Sequence, residues 1–221
     1  MKPNQKPLQI MVYQDALCAW CYVAESRIEV LKREFGDSVR WLRRPFPLRP
    51  QDLVPSDRDR ALWLKEVAAA QKEPEGGKLT SELWDARELP RSSVPALAAL
   101  EAARLQGRDA HDALFHSLQR AGLEQGVNIT RSDVIFELAA GLGLEMNRFC
   151  AAFGSPETRR LISEEHKLAS ERGVKGAPTL VIAGKWMLSG LRETSEYREQ
   201  ILSCLHKVDW AQAPASDRVL H

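Results

Sequence analysis

Two cysteines separated by two residues, Cys18 and Cys21, stand where an apolar run gives way to a helical pattern, and no other feature of the chain restricts its fold so tightly. Upstream, Leu8-Gln9-Ile10-Met11-Val12-Tyr13 is apolar and partly β-branched, which predicts a strand. Asp15-Ala16-Leu17 supplies a polar break, and a helix is predicted from about Cys18 to Phe35, ended by Gly36-Asp37. Ile28, Leu31 and Phe35 recur at helical spacing and form its buried face, while Glu25, Arg27, Glu29, Lys32, Arg33 and Glu34 are expected on the exposed side. Val39, Trp41 and Arg43 then alternate with Arg40 and Leu42 at a strand's period of two. A helix joining two such strands is the βαβ unit of a parallel sheet.

Pro45, Pro47, Pro50 and Pro55 keep the next stretch extended, as a connector. From about Asp57 to Arg172 the pattern is helical. Ser92 precedes a run to Gln106 closed by Gly107, Asp109 precedes one ending near Gly122, and Thr130-Arg131-Ser132-Asp133 resembles a capping box for a helix to about Leu142. Ser155-Pro156 places an N-cap and a first-turn proline ahead of a helix that ends at Gly173. Glu73-Pro74-Glu75-Gly76-Gly77 reads as a flexible loop. After Gly173 the pattern returns to β: Thr179-Leu180-Val181-Ile182, a short turn at Ala183-Gly184-Lys185, and Trp186-Met187-Leu188 make a hairpin, and Thr194 to Leu205 a last helix. The tail from Ala211 to His221 has too little apolar content to pack firmly. Without the helical block the order is β-α-β-β-β-α, the smallest thioredoxin-like arrangement. The predicted class is therefore α/β, a thioredoxin-like fold with an inserted all-helical domain. The thioredoxin-like part comprises residues 1–56 and 173–221, and the helical insertion residues 57–172.

Charge narrows the function. With 31 basic and 30 acidic residues there is no global field to attract nucleic acid or an anionic membrane surface. The apolar run at Leu8–Tyr13 is too short and too early for a secretory h-region, and no segment approaches the roughly 18 apolar residues of a membrane helix, so a cytosolic location is expected. There, four cysteines do not make a structural disulfide framework. Cys150 and Cys204 stand alone and are expected to be buried apolar fillers. A closed zinc site needs four ligands, and neither a second Cys pair nor convergent histidines accompany Cys18 and Cys21, so no metal is expected.

What remains is thiol chemistry. A sulfur at a helix start meets unpaired backbone amides and the positive end of the helix dipole, which favour the thiolate that attacks disulfides. Cys18 is thus the expected nucleophile, and Cys21, a turn on, the resolving thiol. Ala19-Trp20 adds no positive charge, so the anion must be stabilised by helix amides and by whatever folds over it. Trp20 is read as shaping a shallow apolar contact surface, with core filler as the alternative. Asp15 is either a helix cap or a proton relay for Cys21. Ahead of the hairpin, Pro178 is either an ordinary turn residue or a cis proline that turns the main chain of Ala177 outward to pair with an extended substrate.

Together these segments resemble a known family. Asp15-Ala16-Leu17-Cys18-Ala19-Trp20-Cys21-Tyr22 is similar to the active-site segment of DsbA-like proteins, particularly the FrnE branch, and Gly173-Val174-Lys175-Gly176-Ala177-Pro178-Thr179 to their cis-proline loop. The likeness runs on through Pro45-Phe46-Pro47-Leu48-Arg49-Pro50, Ala113-Leu114-Phe115, Gly143-Leu144 and Leu188-Ser189-Gly190. It implies a helical domain within a thioredoxin fold, Cys18 as nucleophile, Cys21 as resolving cysteine and Pro178 as the cis proline. Ala19 stands where that branch typically has proline, and small Ala177 precedes the cis proline; both bear on potential and substrate preference. The expected partners are disulfide- or thiol-containing proteins or small molecules. No organic cofactor is expected beyond the redox-active pair, which an external reductant such as glutathione or a thioredoxin system resets. The rival readings are a glutathione-linked transferase or isomerase of the kappa or 2-hydroxychromene-2-carboxylate isomerase type, against which Cys21 counts, and a non-enzymatic holdase or partner-binding module.

Overall fold

The computed structural model describes residues 7–207, so the tail from Ala211 to His221 lies outside the described residues. Strand β1 (Leu8–Gln14) leads through Asp15–Cys18 into helix α1 (Ala19–Phe35), and β2 (Val39–Pro45) returns parallel to β1 with Ile10 opposite Trp41. Strands β3 (Thr179–Ile182) and β4 (Trp186–Ser189) form the expected hairpin, and β3 runs antiparallel to β1. The sheet order is β2-β1-β3-β4, which places β1 inside the sheet and aims its C-terminal end at the start of α1. Between β2 and β3 come α2 (Asp57–Ala70), α3 (Glu82–Asp85), α4 (Val94–Arg104), α5 (Arg108–Gln119), α6 (Ser132–Gly141), α7 (Met146–Gly154) and α8 (Pro156–Glu171), and α9 (Thr194–Lys207) follows the hairpin. This is the expected thioredoxin-like α/β fold with a helical insertion. Among the described residues no helix is long and apolar enough to cross a membrane.

Helix α1 belongs to two cores. From its second turn onward it buries Ala24, Ile28 and Leu31 with Leu8, Ile10 and Val12 of β1 and with Tyr197 and Ile201 of α9. Its N-terminal end buries Ala19 and Val23, with Ala16 and Leu17 just before it, among Leu83, Trp84, Leu97, Leu114 and Phe115 of the helical block. Each fully buried leucine or isoleucine in such a seam is worth about 1.5–3 kcal/mol, so both ends of the helix are firmly held.

Several expectations need correcting. Glu25 and Arg27 are not on an exposed side of α1: both are buried, as is Arg43 of β2. Arg27 reaches across to Glu73 and Glu75 (2.5 and 3.0 Å) and donates to the Arg192 carbonyl at 2.8 Å. The loop Glu73–Gly77 is therefore not free: Pro74–Gly76 forms a tight 3-10 turn, with Gly76 buried against the end of α2. Arg43 forks onto both carboxylate oxygens of Glu25 and onto Asp112 at 2.8 Å, joining β2 and α1 to α5. Charged residues read as solvated because a helical wheel cannot see partners supplied by a distant segment.

The capping readings divide in the same way. Ser155 does accept from the Glu157 amide at 3.1 Å. Thr130, however, bonds to Asn128, Arg131 pairs with Asp133, and α6 starts at Ser132 with no side-chain cap, so no capping box forms there. Gly122 does not end α5, because residues Arg120–Glu124 continue it in a wider π turn with Gly122 close under Ile129. Cys150 is exposed on α7 rather than buried; Cys204 is buried beneath the sheet-side core as expected.

Around Arg43 the polar groups have defined protonation states. Arg104 can only donate, so His111 Nε2 accepts from it at 2.8 Å and Nδ1–H donates to Asp112 at 3.0 Å, leaving the imidazole neutral. Burial pushes the His111 pKa down. Burial alone would raise Glu25 and Asp112, but the Arg43 charge and hydrogen bonds in the first case, and the His111 hydrogen bond and Arg43 charge in the second, outweigh it and leave both lowered.

Two measurements test this frame. A Cβ at Gly76 would lie 1.9 Å from the Ala70 carbonyl oxygen, so Gly76→Ala should cost about 1–3 kcal/mol, a drop of about 2–4 °C in melting temperature per kcal/mol. An unchanged melt would mean the turn is not held as described. In a pH series, all three lowered groups release stability on acidification, because the unfolded chain takes up protons first. The His111 contribution is present above its ordinary value of 6.5 and lost as pH falls below it, and the Glu25 share follows below 4.5. His111→Gln should remove much of the first loss and spare the second; an unaltered profile would refute the neutral-imidazole assignment.

Candidate active site

Cys18 occupies the N-cap of α1 with extended backbone (φ −91°, ψ 113°), and its sulfur does what a serine oxygen does at such a position: it accepts the Cys21 amide at 3.2 Å. Its own amide donates to the Asp15 carbonyl at 3.2 Å, and its carbonyl accepts from Tyr22 at 3.1 Å, so the residue is fixed on both sides. Cys21 lies one turn inside the helix. Both thiols are free and buried. Burial pushes the Cys21 thiol well up, and the hydrogen bond to Cys18 and its charge add to this, against an opposing pull from the Asp15 backbone amide.

From the far end of the chain, the cis Ala177–Pro178 peptide meets this sulfur. Cys18 Sγ lies 3.5 Å from the Ala177 carbonyl oxygen, its acceptor, so that carbonyl faces the thiol rather than standing free. Pro178 is buried and its carbonyl accepts from Gly190 at 2.8 Å, which ties the loop to the end of the hairpin. Beside this loop, Phe46, Pro47, Leu48 and Pro50 of the connector face Val174 and Lys175 across a groove of about 440 Å³.

Asp15 is fully buried, and its two carboxylate oxygens accept the Leu17 amide (2.9 Å) and the Leu48 amide (2.8 Å). The first closes an Asx turn into the motif and the second pins the proline-rich connector beside it. Trp20 is half-buried, its indole N–H donates to Glu66 of α2, and its ring packs on the helical block's core, so it combines a surface edge with a core contact.

Sequence reasoning passed over Glu66, Trp63, Trp84 and Arg49. The Arg49 guanidinium lies 4.4 Å from the Trp63 ring and 4.6 Å from that of Trp84, and the nearby acidic groups that act on it are Asp15 and then Cys18. The available signal was a lone arginine between prolines, followed by two tryptophans in a helical stretch. Glu25, Glu29 and His116 bring possible metal-ligating atoms within 4.8 Å of one another, but Arg43 and Lys32 already neutralise those carboxylates.

Comparison with known proteins bears on the family and the fold. A family model for the DSBA-like thioredoxin domain matches residues 9–202. The ClpXP adapter protein SpxH of Bacillus subtilis is 30% identical over 182 residues, covering 80% of this chain and 58% of that protein. SpxH of Shouchella clausii is 27% identical over 185 residues, covering 81% and 59%. The chain thus spans less than two thirds of the length of these relatives. Among solved structures, a Nitrosomonas europaea protein provisionally described as a protein disulfide isomerase superposes with a TM-score of 0.80 at 20% identity, over 91% of this chain and 98% of that one. The cytosolic disulfide reductase DsbM of Pseudomonas aeruginosa, solved with GSH, gives 0.65 at 23% identity, over 90% and 96%. With the family match running from β1 into α9, the chain belongs to the DSBA-like thioredoxin domain family.

Proposed function

We propose that the protein is a thiol–disulfide oxidoreductase acting as a reductase or isomerase in the cytosol, on disulfide-bearing proteins or small molecules. The observation that carries this reading is the Cys18 sulfur seated as the cap of α1, accepting the Cys21 amide at 3.2 Å, with a second thiol one turn on. A thiolate there is stabilised by the amide and the helix dipole. It attacks a substrate disulfide, forming a Cys18 mixed disulfide and releasing one substrate thiolate. Cys21, kept protonated by burial until that point, then gives up its proton to the thiolate released first, attacks the Cys18 sulfur and releases the second thiolate as the Cys18–Cys21 disulfide forms. Two equivalents of an external thiol, such as glutathione or a thioredoxin system, return the pair to the dithiol. No metal or organic cofactor enters these steps.

Ala177 and Pro178 border the sulfur and would align an extended substrate, which displaces the thiol from the Ala177 carbonyl. Trp20 would offer its free edge to that substrate. Asp15 acts as a clamp on the connector, and its backbone amide, against the Cys21 sulfur, eases that thiol's ionisation. The cytosolic setting is supported by the likeness to a cytosolic reductase. A second reading, a partner-binding module, draws on the adapter relatives and on the exposed Leu53, Val54 and Leu62 of the connector and α2.

Trapping separates the two. Cys21→Ser should accumulate mixed disulfides at Cys18, and Cys18→Ser should abolish turnover of a disulfide substrate; activity or partner capture unchanged in Cys18→Ser would favour the binding module. Strong glutathione conjugation without dithiol turnover would point instead to the transferase class. In a Cys150→Ser background, which removes the exposed thiol, iodoacetamide near neutral pH should modify Cys18 and leave Cys21 untouched until the protein is denatured. Equal labelling of both would contradict the order of attack.

A further inference from the structure

Arg27 and Arg43 are buried, and Arg49 buries part of its guanidinium. Arg27 has Glu73 and Glu75, and Arg43 has Glu25 and Asp112. Arg49 differs: its Nε and Nη2 are buried and find no hydrogen-bond partner among the described residues. A buried, unpaired cation is costly, and guanidinium does not escape by losing its proton. Such a group calls for an explanation.

Its surroundings supply one. Trp63 and Trp84, with ring centroids 4.8 Å apart, lie 4.4 and 4.6 Å from the guanidinium carbon, so the cation rests against both rings at once. Its main chain is held as well, with the Arg49 carbonyl accepting from the Ser93 amide at 2.9 Å and from the Ser92 hydroxyl at 3.0 Å. Leu48, the residue before it, is fixed to Asp15, whose carbonyl in turn holds the Cys18 amide. The acidic groups that act on the guanidinium are Asp15 and Cys18. Asp15 has both oxygens engaged by amides, whereas the Cys18 sulfur carries charge only when the pair is reduced.

We infer that Arg49 is a positioning residue for the exchange reaction: stacked against Trp63 and Trp84 and tied through Leu48 and Asp15 to the start of α1, it holds a positive charge near Cys18 that favours the reduced pair over the disulfide. This rests on the dithiol reading above. Reduction of the protein disulfide by two external thiols yields the Cys18 thiolate, the Cys21 thiol, one external disulfide and one released proton. The negative charge on the left of that balance is nil and on the right sits on Cys18, so a fixed cation there pulls the equilibrium towards reduction. The positive group absent from Ala19-Trp20 comes instead from the connector, braced by the helical block.

The test is redox equilibration of the full chain in glutathione buffers near neutral pH, with thiols quenched and counted. Arg49→Met should shift the equilibrium constant towards the disulfide by about three- to tenfold, about 14–30 mV for a two-electron couple, while Arg49→Lys, which keeps the charge, stays nearer wild type. By linkage, Arg49→Met should also destabilise the reduced protein more than the oxidised one by the same factor, whereas loss of mere stacking would weaken both alike. Arg49→Gln replaces the Met variant if circular dichroism shows that the latter does not fold. A neutral variant that keeps the wild-type equilibrium constant within about twofold, with equal loss of stability in both forms, overturns the inference. If the wild-type pair itself forms no disulfide and exchanges with no thiol, the function proposed for the site fails instead.

Discussion

Burial of α1 on two sides is the constraint on which the rest depends. A helix packed only on the sheet would present its first turn to solvent at the sheet's edge. Here Ala16, Leu17, Ala19 and Val23 around that first turn are sealed into the helical block, while Ile28 and Leu31 further along are sealed onto the sheet. The cap residue between these anchors has little freedom, and its sulfur is directed towards the helix amides and the Ala177 carbonyl. Rigidity at Cys18 therefore comes from apolar packing some residues away, which is the general way a site is held to sub-ångström tolerance.

The same seam is crossed by charges. Arg43 and Arg27 each carry a guanidinium from the sheet side to carboxylates of the helical block, at Asp112 and at Glu73 and Glu75. Exchanging such a pair for well-packed apolar residues is often neutral or stabilising, whereas removing one partner is costly, so their value lies in register more than in net stability. A slip of the block against α1 would strand a buried charge. Trp20 and Asp15 add single hydrogen bonds to this locking, through the Glu66 carboxylate and the Leu48 amide.

The parts of this arrangement legible in the sequence are those written in local periodicity. The two parallel strands, the hairpin, the ends of α1 and the cap at Ser155 all follow from spacing of apolar residues and turn formers within a dozen positions. Cys18 and Cys21 were legible for the same reason, since a helix start brings together residues three apart. What escaped is long-range. Glu25 and Arg27 look like solvent-facing charges on a helical wheel, the alternation of β2 names no partner for Arg43, and only the fold shows that each meets its partner across the seam. Glu73–Gly77 has the composition of a mobile loop and is nonetheless held by Arg27. Arg49 sits in a proline-rich stretch whose extended course hides where its side chain ends, and its two tryptophan neighbours are on different helices.

The asymmetry between the two thiols follows from helix geometry rather than from residue type. Cys18 stands outside the helix proper, so its sulfur faces backbone amides that have no partner one turn earlier. Cys21 stands inside, so its own amide is spent on the Cys18 sulfur and its side chain is buried, where ionisation is opposed. One cysteine is thereby suited to begin an exchange and the other to wait for it. Moving either by a single residue would undo the assignment: a sulfur one place later leaves the cap, and one place earlier leaves the turn that lets the pair join. The two-residue spacing is the separation at which an N-cap and the first helical turn sit side by side, and the intervening Ala19 and Trp20 remain available for other work, one in the core and the other bridging to α2.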